Sequence, residues 1–506
     1  MAVIKKQYTK FVFPFKYTKG NLDPRQVKCR GSNGERSVFK EFSVSGNNLR
    51  SGLDKLLSVD GASAKIAESY YLDTNSRAYF NLPNRQNDYL DLHFRQADTD
   101  EKLRVAITDV CIYLFESGVG VFEFECQYAS DSIEDYNKLN YFIAEPKSSK
   151  NYFVSKRKVG FDKETKQEKF EESTFTIKEF VNNIINSMRV SEAEDQNVEF
   201  FDIKPVIFSY ILLDERPDDF EVFLKYSAKN FKDSYRLSEE SYPVNIFSPF
   251  DNSHWAVTMK GVVNASYITN RDDTDHFFND DFVELTKGIY HTLFLHVIHQ
   301  KYSTMLMLSN MGELDRLGMN YEVMKKELIQ AQKCRSEAYN LMFRAFFQVP
   351  SEQEHINKFY EYLYRNFRVN DLLNNFKNDI ANLENLCDTY VKRIKARKDK
   401  MKEKRNAFTE IFVAIFGTLV AEITLLDSSW DIIEKLSGRS VQFGSFGVIA
   451  LIAAMILPIV TIAVDVVKRI KDIRKINKDL QEEVNNGLLE DGFDEKFLKK
   501  SKKDDD

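Results

Sequence analysis

Two apolar segments near the C-terminal end constrain this chain more than any other feature, because each carries a basic stretch on its outer side. Phe408–Leu426 is about 19 residues long and Phe443–Val467 about 25. As helices rising about 1.5 Å per residue, either would cross roughly 30 Å of hydrocarbon. Lys392-Arg393-Ile394-Lys395-Ala396-Arg397-Lys398 and Lys404-Arg405 precede the first. Lys468-Arg469-Ile470-Lys471, then Arg474 and Lys475, follow the second. The connection holds only Lys435 and Arg439 against Asp427, Asp431 and Glu434. Lys/Arg bias in short flanks sets orientation, so both termini are expected in the cytoplasm and only the connection outside. This reading places transmembrane helices at 407–426 and 443–467, an outer loop at 427–442 and a basic, then mixed-charge, cytoplasmic tail at 468–506.

The 506 residues leave room for about 400 residues of cytoplasmic domain ahead of that anchor. A net charge of −6 is mild, the basic runs are local, and no direct nucleic-acid partner is expected. The N-terminal Met1-Ala2-Val3-Ile4-Lys5-Lys6 has no apolar signal core, as expected of a front domain that stays inside. Cys29, Cys111, Cys126, Cys334 and Cys387 form no CxxC pair and read as reduced structural thiols. The 41 phenylalanines supply a large core, and only 19 glycines argue against Gly-rich nucleotide-binding architectures.

Residues 1–285 read as mixed α/β. Phe11-Val12-Phe13-Pro14-Phe15-Lys16-Tyr17 alternates with period two, as in a half-buried strand. Val105–Phe115 and Val119–Cys126 flank Glu116-Ser117-Gly118 and predict a hairpin with Gly118 at positive φ. Ser132–Ile143 has helical spacing, Phe200–Leu213 is strand-like, and Ala256–Met259 with Val262–Ile268 predicts a hairpin around Lys260-Gly261. Residues 286–406 read as a helical region and coiled stalk. Leu285–Met311 and Tyr321–Phe347 are helices, Pro350 stops the second, and Ser351-Glu352-Gln353-Glu354 offers a capping box. Val369, Leu373, Phe376, Ile380, Leu383, Cys387, Tyr390 and Ile394 keep a heptad that wants a partner helix, from the same chain or a symmetry mate. Without an intervening proline, Ser351–Leu426 could be one helix of roughly 110 Å. The fold class expected is an α/β cytoplasmic domain, a long helical stalk and two transmembrane helices.

On the first apolar segment Glu410, Ala414, Gly417, Ala421 and Thr424 share a stripe of small or polar residues, which suits close packing or a narrow passage. With Glu422, ionisable residues there are costly unless they face protein or water, so these six are the candidate pore lining. His291, His296 and His299 lack zinc-protease spacing and read as core or network histidines. Asp272, Asp273, Asp275, Asp280 and Asp281 could bind a divalent cation but read better as a solvated loop capping the helix at Asp281. Ser253-His254-Trp255 suggests no nucleophile. With neither P-loop nor GxSxG, the chain does not read as an enzyme, and no cofactor is expected.

The arrangement resembles the CorA superfamily: a cytoplasmic α/β domain, a stalk helix continuing into the first span, a short outer loop, a second span and a basic tail. Members are pentameric magnesium channels with Gly-Met-Asn directly after the first span. Here Leu426-Asp427-Ser428-Ser429-Trp430 stands at that place, and Gly318-Met319-Asn320 occurs far ahead of it. The missing filter moves the likeness toward the CorA-like effectors of type III CRISPR systems. The hairpin 112–122 and the helix segment Tyr290–Gln300 are similar to that branch. The resemblance implies a homo-oligomer, a pentamer, in the bacterial inner (plasma) membrane with the lipid bilayer as partner. It further implies an antiviral channel or membrane-disrupting effector gated by a nucleotide second messenger, S-adenosyl methionine joined to AMP (SAM-AMP). A divalent-cation transporter with an altered filter and a non-conducting membrane scaffold are the alternatives. An adenosine-bearing ligand needs a stacking ring and a cation or amide for its phosphate, and Asn252, Trp255, Asn270 and Arg271 are the candidate ligand-binding residues.

Overall fold

A computed structural model describes residues 2–437 and Lys471, apart from 32–33, 44–65, 84, 97–98, 146–149, 162–167, 191–197, 203, 231–244, 270–275, 315–320 and 347–349. The strands are β1 (Ile4–Lys16), β2 (Lys28–Gly31), β3 (Gly34–Ser37), β4 (Phe39–Glu41), β5 (Ala67–Leu72), β6 (Leu90–Gln96), β7 (Thr99–Phe115) and β8 (Val119–Tyr128). They continue as β9 (Tyr152–Phe161), β10 (Glu168–Thr176), β11 (Glu199–Phe200), β12 (Val206–Leu213), β13 (Asn245–Phe250), β14 (Ser253–Val257) and β15 (Gly261–Tyr267). The helices are α1 (Ile133–Ile143), α2 (Ile177–Ser187), α3 (Phe220–Lys229), α4 (Phe282–Leu285), α5 (His291–Leu314), α6 (Tyr321–Ala345), α7 (Glu354–Asn366) and α8 (Val369–Ser437). Thirteen strands form one mixed sheet, whose main path runs β10-β9-β6-β7-β8-β1-β12-β15-β14-β13. The chain divides into two compact units: Met1–Glu313 with Cys334–Ala381, and Leu314–Lys333 with Asn382–Asp506.

Period-two alternation sorts the central strands into two cores. Phe11, Phe13 and Phe15 of β1 and Phe122, Phe124 and Cys126 of β8 lie in the same hydrophobic cluster as α1, α2 and α3 residues. Tyr8, Val12, Val119, Val121, Phe208 and Tyr210 belong to the other cluster, with Leu293, Phe294 and Val297 of α5 and Phe359 of α7. The β7–β8 hairpin forms as expected, with Gly118 at φ +82°. The predicted helix at Ser132 begins there, Ser132 Oγ accepting from Asp135 N at 3.5 Å. All five cysteines are free thiols.

The C-terminal half corrects the sequence reading. Among the described residues no helix is long and apolar enough to cross a membrane. Phe408–Leu426 lies within α8, as the expected continuation of the stalk helix, but the helix does not stop at the expected outer loop and runs on to Ser437. Among the described residues that finding removes the expected transmembrane helix at 407–426, and with it the expected two-span membrane localisation. The segment 443–467 lies outside the described residues.

Two further expectations change. The continuous helix from Ser351 is broken at Arg368, which takes φ +57° between α7 and α8 and bonds Asp371 at 2.8 Å. No glycine marks this left-handed turn, so its local signal is silent. Instead of the capping box, Asn357 Oδ1 accepts from Ser351 N at 3.0 Å and its Nδ2 donates to Ser351 O at 2.8 Å. Of the heptad positions, Val369, Phe376, Ile380, Leu383, Cys387 and Tyr390 are buried within one chain, and Leu373 and Ile394 are part-exposed. The same-chain alternative accounts for those six buried positions.

Candidate functional site

Phe122-Glu123-Phe124-Glu125 on β8 alternates ring and carboxylate, so pairing the phenylalanines with one core drives both carboxylates to the opposite face. Lys10 on β1 arrives there in the same way, directly opposite Glu125 in the antiparallel register. Glu123, Glu125 and Lys10 are at most 6% exposed. Lys10 Nζ donates to Glu123 Oε1 at 3.0 Å and lies 3.8 Å from Glu125 Oε2. Tyr113 OH donates to Glu123 Oε1 at 3.1 Å, and His291 Nε2 meets Glu123 Oε2 at 2.8 Å. Glu125 Oε1 accepts from Thr108 Oγ1 at 2.9 Å and from Lys287 Nζ at 2.8 Å. Thr108 sits at the register shift between Ile107 and Asp109 of β7, where a bulge re-aims side chains.

Buried charges are costly unless paired. Burial pushes the Glu123 carboxyl up, but His291 and Lys10 outweigh it and hold it at about 2. Burial pulls Lys10 down, but Glu123 and Glu125 carry it well above its ordinary value. Burial drives the His291 imidazole below its ordinary value despite Glu123 beside it. At neutral pH the cluster therefore balances two ammonium groups against two carboxylates around a neutral imidazole, whose Nε2–H donates to Glu123.

The helical partners of this cluster are irregular. The helix enters through a π-helical turn at Phe277–Asp281, passes α4, and makes a second π-helical turn at Thr286–Tyr290 before α5. Such turns insert a residue into the helix and recur at functional sites. Here the second turn carries Lys287 and is followed directly by His291. Thr286 Oγ1 accepts from Tyr8 OH at 2.8 Å, and the Lys287 ammonium lies 4.7 Å from the Tyr8 ring centre. A cleft of about 460 Å³ opens beside them, lined by Lys5, Lys6, Tyr8, Ser130, Asp131 and Lys287 among others. Tyr8 and Lys287 thus belong to the buried cluster and to the cleft wall at once.

Along α5 the other two histidines are also buried. Burial holds His296 at about 4, and pushes His299 well below its ordinary value. His299 stacks on Phe115 with ring centres 4.1 Å apart and its Nε2 lies 3.1 Å from Ser117 Oγ in the hairpin turn.

The sequence-derived candidates lie elsewhere. Trp255 is fully buried, packed on Phe359 and Tyr290 at 4.5 and 4.9 Å, so it serves as core and not as an open stacking surface. Asn252 is spent on the hairpin backbone, donating to Tyr267 O at 3.1 Å. Asn270 and Arg271, like Asp272, Asp273 and Asp275, lie outside the described residues. Asp280 accepts from Lys6 Nζ at 2.8 Å, and Asp281 sits inside the helix without a side-chain cap. Among the described residues no group of three His, Cys, Asp or Glu is placed to hold a metal ion. Glu410, Ala414, Gly417, Ala421 and Thr424 are exposed on α8 in the single chain, and the Glu422 side chain lies outside the described residues.

The buried cluster itself escaped the sequence reading. Its signal was present: a lysine inside the apolar β1 run and two glutamates at alternate positions of β8. Each is unexpected in a strand buried on both faces. Scanned against models of known protein families the chain matches none, and comparison with curated proteins gives no match.

Proposed function

We propose that the chain is a ligand-gated, homo-oligomeric effector of the type III CRISPR kind, switched by a nucleotide second messenger such as SAM-AMP bound to the front unit. The observation that carries this reading is the Lys10–Glu123–His291 and Glu125–Lys287 clasp, which ties two central strands to the irregular start of α5. A balanced buried ion cluster has two settings, closed or broken, and a ligand that alters one charge shifts the population between them. The likeness supports the same place: the hairpin 112–122 and the segment 290–300 that resemble the effector branch lie against each other through Phe115 and His299. Self-association is supported by the apolar face of α8, where Phe412, Val413, Phe416 and Val420 are each at least half exposed in the single chain. On the resemblance the assembly has five copies.

Calorimetric titration of SAM-AMP into the full chain tests the ligand, and mass photometry tests the assembly. One saturable site per chain and particles at a multiple of 59.0 kDa are expected. Absence of heat at millimolar SAM-AMP, or a monomer, would overturn the corresponding half of the reading.

A further inference from the structure

We propose that the cleft between the start of β1, the end of β8 and the second π-helical turn is a binding site for a phosphate-bearing anion, which takes Lys287 from Glu125 and makes the buried cluster take up a proton. The inference rests on the ligand-gated reading for its consequence, but the site stands on its own geometry. Of the charged residues lining the cleft, Lys5, Lys6 and Lys287 are cationic and Asp131 alone is anionic. Its volume of about 460 Å³ falls within the range of small-molecule sites. Tyr8 and Ser130 also line the wall, with their hydroxyls donating to Thr286 Oγ1 and Asp135 Oδ2. The cations are held in ways a ligand can exchange. Lys6 is bound by Asp280 and by the Asn279 carbonyl, at 2.8 and 2.7 Å, on an exposed surface where an ion pair contributes little. Lys287 is about one-third exposed, so its ammonium reaches from the buried Glu125 to the cleft.

Both π-helical turns contribute. The first presents Asn279 and Asp280 to Lys6, and the second presents Lys287. Lys287 of the second turn lines the cleft itself, and Asn279 and Asp280 of the first turn hold its lining residue Lys6.

The consequence follows from charge balance. When an anion draws the Lys287 ammonium outward, Glu125 keeps only Lys10, 3.8 Å away, which Glu123 already holds at 3.0 Å. The cluster then carries a net negative charge in a buried site. The groups facing the His291 imidazole are Glu123 and Glu125 from β8, Lys10 from β1 and the Phe208 ring from β12, with Tyr113 of β7 on Glu123. Losing the Lys287 charge leaves Glu123 and Glu125 dominant around that ring, and their negative charge favours the imidazolium. Binding therefore strengthens as the pH falls toward 6.

The test uses the full chain and three probes: inorganic phosphate, 5′-AMP and SAM-AMP. Titrations at pH 7 in two buffers of different ionisation enthalpy give affinity and proton uptake together. Saturable binding of 5′-AMP with uptake approaching one proton is expected in the wild type. Lys5→Glu, on the exposed rim, should weaken it at least tenfold with the fold unchanged by circular dichroism. Lys287→Met should do the same, and His291→Gln should bind without proton uptake. Unchanged affinity in Lys5→Glu and Lys287→Met would overturn the site, and zero uptake in the wild type would overturn the exchange. SAM-AMP binding that ignores both lysine variants would remove this cleft and leave the effector reading. Binding of 5′-AMP at the cleft with no SAM-AMP binding anywhere would keep the cleft and remove SAM-AMP as the messenger.

Discussion

At residue scale the closest tolerance in the sheet is at Gly120 on β8, opposite Phe15 of β1. A Cβ at Gly120 would come within 2.2 Å of the Phe15 ring, so the ring lies across a bare backbone. Gly120→Ala is expected to cost about 1–3 kcal/mol through overpacking, read as a lower urea midpoint at unchanged slope. Glu123→Gln removes the nearest countercharge of a buried lysine and should cost about 3–5 kcal/mol. Adding Lys10→Met to it should recover much of that loss, because the unpaired ammonium is then gone. The pH dependence has a defined sign. Glu123 titrates near 2 in the fold against an ordinary 4.5, so its contribution is full above 4.5 and is lost as pH falls toward 2. His296 titrates near 4 against an ordinary 6.5, and its neutral form is the one the fold holds. Its contribution is full above 6.5 and is lost as pH falls through 4. Urea titrations should show stability falling from pH 6.5 downward, and His296→Gln should flatten the step between 6.5 and 4.

The elements divide by how their apolar residues are covered. The seam of α8 asks from sequence for a partner helix, and six of its eight positions are buried within a single copy. Phe376 is fully buried and Phe416 is 62% exposed on the same helix, which makes a paired test. Phe376→Ala should cost about 3–5 kcal/mol by leaving a cavity, measured by chemical denaturation. Phe416→Ala should change stability by about 0.5 kcal/mol at most, as an exposed substitution does, while lowering the assembled fraction in mass photometry. Equal effects of the two on unfolding would show that α8 is covered differently from the single chain.

Over the whole molecule, the sheet keeps its two faces chemically distinct. One carries the phenylalanine-rich core beneath α1, α2 and α3. The other holds the ion cluster beneath α5. This asymmetry places a costly, charge-balanced group where strands and helices meet, and leaves the rest of the sheet as a rigid support. Loss of the cluster should therefore loosen α5 before it loosens the sheet. Hydrogen exchange on Glu123→Gln is expected to show faster exchange across His291–Gln300 than across β12, and equal acceleration of both would contradict that order.

What the sequence determined by itself was local. Alternation in Phe11–Tyr17 and the β-rich run Val119–Cys126 marked strands, Gly118 marked the hairpin, and Ser132 marked a helix start, because each signal is carried by neighbours within a few residues. The run Phe408–Leu426 was legible as apolar and as the continuation of a long helix, but its end was not, and α8 runs on to Ser437. Tertiary structure decided the left-handed break at Arg368, which has no residue signature, and the covering of the seam, which depends on another part of the chain. It also decided the role of Trp255, which the sequence offered as a stacking ring for a ligand and packing placed in the core. The candidate site is the clearest case. Lys10, Glu123 and His291 are far apart in sequence, and only the sheet register and the irregular turns before α5 bring them within hydrogen-bond distance, where burial makes their pairing compulsory.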